Sequence, residues 1–484
     1  MPSEFSKLPL SLTMSSAAVV SALAATSASA WQNPLEEKYL TKPLQVCDQG
    51  VFYVGGAPKM TPFRDGPTPG PNDQLMIGQM YVEFQTPQVS KAWPIIHVHG
   101  SGFTGSCVRG TAGGNEGWSD YTLRHGYPTF VVDQAGRGRS GFDHTVIHEA
   151  EYLAVNGDVA GAADLLPPFG GMWGSEFFGR FYGHIVPPEA NNDPTLGQMI
   201  RFGEPGDPWC PEKPAHCNGP IGRIPMEPEA PWAVDQAIKS RTGNGAPAGL
   251  GTVTPDNAQV EANAVYLALD AYKFDVPNSE ATLPGSECPR CSNPELNATV
   301  TWTPRALAEL IEGLGGAVLA VHSQGGQILH HTVRVLKKEG NLDLLKGALN
   351  IEGFCSLEDA GNVASDFKNI PYLALMSDII DDFNFPTFTQ GCLDTVNAIN
   401  AAGGKAKFID LDEPGWWQGS YTGPWGKEYV GPFAGTAHML MLESNPSPTG
   451  QASNLQVMDV ILKWANRNIS KPKKTTCGQI NNRR

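Results

Sequence analysis

The run Val321-His-Ser-Gln-Gly-Gly326 follows the apolar stretch Ala317-Val-Leu-Ala320 and leads into Gln327-Ile-Leu329. A strand, a serine on a sharp corner among small residues, then a helix: this arrangement lifts a hydroxyl clear of the sheet at a helix N-terminus, and is known as a nucleophile elbow. Small neighbours are needed because the corner backbone is strained and the helix returns close to the strand. The usual pattern is G-x-S-x-G, and Val321 replaces its first glycine. The chemistry such a serine performs is attack on a carbonyl, with backbone N–H groups stabilising the oxyanion that forms.

A second apolar strand, Trp93-Pro-Ile-Ile-His-Val-His99, ends in Gly100-Ser-Gly-Phe103. Glycines there let the backbone approach a reacting centre, so the N–H groups of Ser101 and of Gln324, the residue after the serine, are the expected oxyanion donors. A general base must follow later in the chain. His438, in Gly435-Thr-Ala-His-Met439, sits after the last expected strand and before the closing helix, where it can accept the Ser323 proton and return it to the leaving group. His97, His99, His330 and His331 lie on the oxyanion strand or the elbow helix instead, and His97-Val-His99 lacks further metal ligands. Two carboxylates compete to orient the base. Asp378 ends the second strand after the elbow strand, the commoner position for the acid, and Glu352 ends the first.

The elements that must position these groups read as an α/β chain. Val51–Gly56 and Met76–Phe84 have the look of antiparallel strands. A strand over 95–99, a short helix over 117–126 and a strand over 128–133 then form a parallel unit. After the region from Phe142 to Pro304, Thr303 and Pro304 open a helix as cap and first residue, and the elbow strand and its helix (328–338) follow. Strands at 345–351, 371–378 and 405–411 alternate with helices at 395–402 and 455–466. This order is that of an α/β-hydrolase fold, with a mostly parallel central sheet flanked by helices. Residues 143–304, dense in Pro, Gly and aromatics such as Trp173, Phe177 and Trp232, are expected to form a cap or lid inserted between the fourth strand and the nucleophile strand, leaving 31–142 and 305–484 as the core. Gly136-Arg-Gly-Arg-Ser-Gly141 matches G-x-G-x-x-G formally. A dinucleotide fingerprint belongs to the first strand of its unit, so here the glycines are read as a tight turn.

Composition narrows the classes. A chain of 484 residues with 41% hydrophobic content can bury a large core, while 54 glycines and 40 prolines indicate many loops. A net charge of −15 argues against nucleic acid, and the cluster Lys471-Pro-Lys-Lys474 reads as a solvated tail. The weakly apolar stretch 8–25, followed by Ala28-Ser-Ala30, has the form of a secretory signal occupying residues 1–30, with the mature chain starting near Trp31 and no membrane-spanning anchor. Nine cysteines in an exported chain imply disulfides and one leftover thiol. Cys288-Pro-Arg-Cys291 has no partner pair for a zinc site, and the sequons at Asn297 and Asn468 fit glycosylation. No metal or cofactor is expected.

Taken jointly, several segments resemble the secreted bacterial esterases of the "esterase 713" type and their fungal relatives. They are His99-Gly-Ser-Gly-Phe-Thr-Gly105, Gly117-Trp-Ser-Asp-Tyr121, Arg124-His-Gly-Tyr127, Val132-Asp-Gln-Ala-Gly-Arg-Gly-Arg-Ser140, His322-Ser-Gln324, Ile351-Glu352, Ala401-Ala-Gly-Gly-Lys405, His438-Met439 and Asn454-Leu-Gln-Val-Met-Asp-Val-Ile-Leu-Lys-Trp464. The likeness covers roughly residues 40–142 and 300–470. It implies a serine carboxylic-ester hydrolase working on a small-molecule ester through Ser323, His438 and Glu352, with Glu352 preferred to Asp378 as the acid. Ser101 and Gly102 stand where the relative has two adjacent cysteines, and the long cap matches poorly, so neither special cysteine chemistry nor substrate identity is implied. A lactonase or amidase would use the same residues, and a catalytically silent hydrolase-like binding protein is the alternative from another class.

Overall fold

The computed structural model describes residues 40, 42–60, 74–100, 104–110, 116–141, 152–153, 156–158, 302–376, 386–411, 420–422, 428–430, 440–442 and 453–481. The signal segment, all but five residues of 143–301, Ser101, Asp378, His438 and Asn297 lie outside them, as do Cys210, Cys217, Cys288 and Cys291.

Eight strands make one sheet. They are β1 (Val46–Met60), β2 (Gln74–Pro87), β3 (Ile95–Val98), β4 (Thr129–Asp133), β5 (Ala317–His322), β6 (Leu345–Ile351), β7 (Tyr372–Met376) and β8 (Ala406–Asp410), in the spatial order β1-β2-β4-β3-β5-β6-β7-β8. β1, β2 and β4 pair antiparallel, and every pair from β4 to β8 is parallel. Edge and centre differ as their sequences require. In β1 the exposed Val51 and Tyr53 alternate with Phe52 and Val54, which pack on the core, giving one wet and one dry face. β3, β4, β5 and β7 are buried at every residue, so they carry continuous apolar runs.

Among the described residues five helices cover the sheet: α1 (Trp118–Arg124), α2 (Trp302–Gly313), α3 (Gly325–Glu339), α4 (Pro386–Ala401) and α5 (Ser453–Asn468). α3 buries Ile328, Leu329, Thr332, Val333 and Leu336, one stripe at helical spacing. It stops at Gly340, whose left-handed backbone (φ 78°) returns N–H groups to the last carbonyls. α5 is fastened to α1 by Trp118 Nε1 donating to Asn454 O at 2.7 Å and by the Tyr121 hydroxyl on Asp459 at 2.6 Å.

Among the boundaries that differ from the sequence reading are the starts of α2 and α4. α2 opens at Trp302, not with Thr303 as its cap, because the Thr303 hydroxyl accepts the N–H of Ala135 at 2.9 Å and so ties the helix to the end of β4. α4 begins at Pro386, well before residue 395, with Pro386 as its first residue and Gly391 obscuring the pattern inside it.

Two disulfides are present among the described residues. Cys47–Cys477 joins the start of β1 to the C-terminal tail, and Cys355–Cys392 joins the loop after β6 to α4. Cys107 is a buried free thiol. The chain leaves β3 toward β4 on one side, and β5 to β8 extend on the other. The crevice between the ends of β3 and β5 is therefore the topological switch point, where open α/β sheets place their ligands.

Candidate active site

At the end of β5 the chain turns on Ser323 and enters α3 within two residues. Ser323 has φ 56°, in the left-handed region that costs a residue with a Cβ about 1–2 kcal/mol. The glycines after it are required by space. A Cβ on Gly325 would lie 3.1 Å from Val321 Cβ and 3.3 Å from Val98 O; one on Gly326 would meet Phe354 O at 2.4 Å. Val321 replaces the usual first glycine without such conflict, being fully buried within β5 and paired with Val98 and Asn350. The corner is held from both sides: the Ser323 N–H donates to Ile351 O (3.3 Å), while its carbonyl accepts from Gly326 (2.9 Å) and Phe354 (3.3 Å).

Glu352 is the second such residue. Among the described residues only Ser323 and Glu352 are non-glycine with positive φ, and Glu352 has φ 53°. In the β5–β6 register His322 pairs with Ile351, so the two strained residues are the next positions on neighbouring parallel strands. Glu352 is completely buried, with its N–H on Leu375 O at 2.8 Å. The turn after it wraps around Asn350, whose amide donates to Phe354 O (3.1 Å) and the Tyr372 hydroxyl (3.0 Å). The Cys355–Cys392 bond and the Thr395 hydroxyl, which donates to Cys355 O, fasten that turn to α4.

Across the crevice, β3 delivers Gly100 against the serine. A Cβ on Gly100 would stand 2.7 Å from Ser323 Cβ and 2.9 Å from His322 Nδ1. Both ends of the 100–105 segment, expected from the sequence to carry the Ser101 donor, are anchored to the end of β4. At the near end, His99 Nε2 accepts the N–H of Gln134 (3.1 Å), which leaves the ring proton on Nδ1 to donate to Gly100 O (2.7 Å). Gln134 Nε2 also donates to His99 O at 2.6 Å. Burial keeps this imidazole neutral, lowering its pKa to about 4 against the opposing pull of the Asp133 carboxylate. At the far end, the N–H of Gly105 donates to Asp133 Oδ1 at 2.7 Å.

Asp133 also receives Arg139 through its backbone N–H (2.7 Å), Nε (2.8 Å) and Nη2 (2.9 Å). Burial would raise its pKa, but these bonds and the nearby positive charge hold the carboxyl below its ordinary value. Gly136, Gly138 and Gly141 all have positive φ, and a Cβ on Gly138 would meet Asp133 Oδ2 at 2.6 Å. The glycine motif is thus a turn that brings two arginines back onto the sheet end, the first being Arg139 on Asp133 and Glu83. The second, Arg137, is buried and donates to Gln324 Oε1 at 2.9 Å. His99, Asp133, Gln134 and Arg137 were not identified from sequence as site residues; the polar pair Asp133-Gln134 ending an apolar strand was the available signal.

His97 and His330 are core residues. His97 contacts the Thr122 hydroxyl at 3.3 Å and His330 packs at a tilt against Phe367 and Tyr372; burial lowers the pKa of each to about 3. Among the described residues no group of His, Cys, Asp and Glu could hold a metal ion, and no helix is long and apolar enough to cross a membrane.

Of the expected site residues, Ser323, Gln324 and Glu352 therefore lie at the C-terminal ends of β5 and β6, with Gly100 packed against Ser323. His438, Ser101 and Asp378 fall outside the described residues. The strand order, with a strained serine between the fifth strand and its helix, defines an α/β-hydrolase fold. The same fold is found in the solved structure of a bacterial esterase, which is 24% identical to this chain and aligns over 90% of it and 100% of the esterase, with a TM-score of 0.50. A fungal protein described as a probable secreted lipase, phiG, is 42% identical over 62 residues, 13% of this chain. The match spans only 17% of the length of that lipase. No family model matches the chain.

Proposed function

We propose that this chain is a secreted serine carboxylic-ester hydrolase. The observation that carries the reading is the pair of left-handed non-glycine residues, Ser323 and Glu352, side by side at the ends of β5 and β6. Strain of this kind persists only where surrounding contacts over-determine it, and it concentrates at functional sites. The bacterial esterase of like fold and the short match to a fungal secreted lipase support the same chemistry.

In this mechanism Ser323 Oγ attacks the ester carbonyl while His438 takes its proton, and Glu352 orients the imidazole and stabilises its cation. The N–H groups of Ser101 and Gln324 hold the oxyanion. Collapse of the tetrahedral species breaks the bond to the alcohol, which leaves with the proton from His438. Water, deprotonated by His438, then attacks the acyl-enzyme, releasing the acid and restoring Ser323. The His99–Gln134 and Gly105–Asp133 bonds fix both ends of the oxyanion loop in advance, so donors need not reorganise as charge develops. The region expected as residues 143–304 serves as the cap, apart from 302–304, which open α2 over the sheet; the signal occupies residues 1–30, and the two disulfides accord with export.

The assignment of the acid is tested by kcat/KM on one p-nitrophenyl ester for Glu352→Gln and Asp378→Asn, each shown by circular dichroism to be folded. Glu352→Gln should lose on the order of thousands-fold, by analogy with the Asp of a serine-protease triad, and Asp378→Asn far less. The reverse order would transfer the role to Asp378.

A further inference from the structure

At the opposite end of the sheet lies a cleft of about 730 Å³ with an unusual lining for a chain of net charge −15: Lys42, Lys91, Arg124, His125 and Lys474, and among the described residues no Asp or Glu. Lys91 precedes β3 whereas Ser323 follows β5, and the two strands run parallel from the Ile95–Val318 pair to the Val98–Val321 pair, so the cleft and the serine sit at opposite strand ends.

The cleft is assembled from segments distant in the chain. Thr475 and Thr476 pair with Ser90 and Val89, the Cys477 N–H donates to Gln88 O at 3.1 Å, and the Cys47–Cys477 bond locks the tail against β1. The supposed solvated tail is thereby pinned, with Lys474 at the cleft. Arg124 is engaged in structure: it pairs with Glu116 at 2.5 Å and donates to Pro43 O (2.9 Å) and Lys42 O. Lys42, Lys91 and Lys474 are exposed, and among the described residues no carboxylate pairs with them.

Carbonyl oxygens that might offset these charges are already bonded. Those of Lys42 and Pro43 accept from Arg124, Gln45 O accepts from Gln88, Gln88 O from Cys477, and Gly126 O from Lys91. Among the described residues the cleft therefore presents three ammonium groups with no carboxylate partner, and few acceptors compete for them. Cleft volumes of this size suit a small molecule, and the negative charge of the rest of the chain repels long polyanions.

We propose that this cleft binds a small multiply charged oxyanion, a compound bearing two or more phosphate or sulfate groups, independently of the proposed ester hydrolysis. Lysine ammonium groups act as point charges toward such groups, so recognition depends on the number of charges more than on bidentate geometry.

Calorimetric titration of the full chain at low ionic strength, with tripolyphosphate, a heparin-derived sulfated disaccharide, and acetate as a singly charged control, tests this. Saturable one-to-one binding of tripolyphosphate or the disaccharide is expected, with acetate far weaker and affinity falling as salt is added. The preferred compound tells phosphate from sulfate. Lys91→Glu and Lys474→Glu should each weaken binding roughly tenfold or more, whereas Lys407→Glu, on β8 at the far edge of the sheet, should not. Because the Lys91 stem lies 3.2 Å from where a Gly126 Cβ would stand, Lys91→Gln serves as a milder removal of charge should the reversal disturb folding. Ester hydrolysis should be unchanged in all four variants. Absence of saturable binding by both multivalent anions, binding by the Lys91→Glu/Lys474→Glu double variant as tight as the parent, or a preference for long nucleic acid over the small anions would overturn the proposal.

Discussion

Gly100→Ala should disable the site while leaving most of the fold standing. The added Cβ would lie 2.7 Å from Ser323 Cβ, 2.9 Å from His322 Nδ1 and 3.3 Å from His322 O. Ordinary carbon–carbon contacts are about 3.5–4.0 Å, so the oxyanion loop must retreat from the serine by roughly 1 Å. It cannot move freely, because His99 is bonded to Gln134 in both directions and Gly105 to Asp133. Overpacking of this sort costs about 1–3 kcal/mol of stability. A misplacement of about 1 Å at a reacting centre costs on the order of a hundredfold in rate, and full loss of an oxyanion donor about 10²–10³. Thermal melts and kcat/KM on a p-nitrophenyl ester measure the two effects. Gly340→Ala is the matched control: φ there is 78° but the added Cβ meets nothing within 4 Å, so about 1 kcal/mol of stability should be lost with activity retained. A folded Gly100→Ala with parental kcat/KM would refute the placement of the oxyanion loop, and equal activity losses in both variants would show the effect to be unspecific.

Three further outcomes follow from the same geometry. His97, His99 and His330 have folded pKa values depressed to about 3, 4 and 3, below the ordinary histidine value, so between about pH 6.5 and 4.5 the unfolded chain binds more protons; urea stability should fall with decreasing pH by up to roughly 1.4 kcal/mol per unit for each, and a flat profile there would contradict their burial as neutral rings. Asp133, depressed in the folded state, contributes stability above the ordinary carboxylate pKa that is lost as pH falls through its folded value, so Asp133→Asn should destabilise the protein at pH 7 but progressively less in strong acid, as followed by urea melts. Replacing Cys355 and Cys392 by Ser opens a link spanning 37 residues and should cost about 3–4 kcal/mol in chemical denaturation, with kcat falling because the turn after Glu352 is freed from α4; an undiminished kcat would show that Asn350 alone positions that turn.

The serine corner was readable in the sequence because its demands are local: an apolar strand, small residues and a helix must be contiguous to make it. Most strands of the sheet were readable for a related reason, since strands buried on both faces are continuous apolar runs that a short window detects. The anchoring of the oxyanion loop was not readable. His99 and Gln134 are 35 residues apart and become partners only when β3 and β4 pair in parallel, and Arg137 reaches Gln324 across 187 residues. The glycines of 136–141 were understood as a turn, but what the turn carries, Arg137 beside the serine and Arg139 on Asp133, depends on where the sheet points it. The first half of α4 was hidden by Gly391, and the tail lysines were misjudged in part because a disulfide across 430 residues decides where they lie. Choosing between Glu352 and Asp378 needed family likeness, since in the sequence each closes an apolar run. The left-handed backbone of Glu352 is a feature that no residue pattern contains.

Mapping the covalent adduct left by a fluorophosphonate is the most direct test that Ser323 is the activated nucleophile. Intact-mass measurement of the treated protein should show a single addition with loss of fluoride, and peptide sequencing by mass spectrometry should place it on Ser323. The Ser323→Ala variant, folded by circular dichroism, should take up none and should hydrolyse no ester above a trace. A single adduct on any other residue, or an unmodified chain that still turns over ester, would contradict the account.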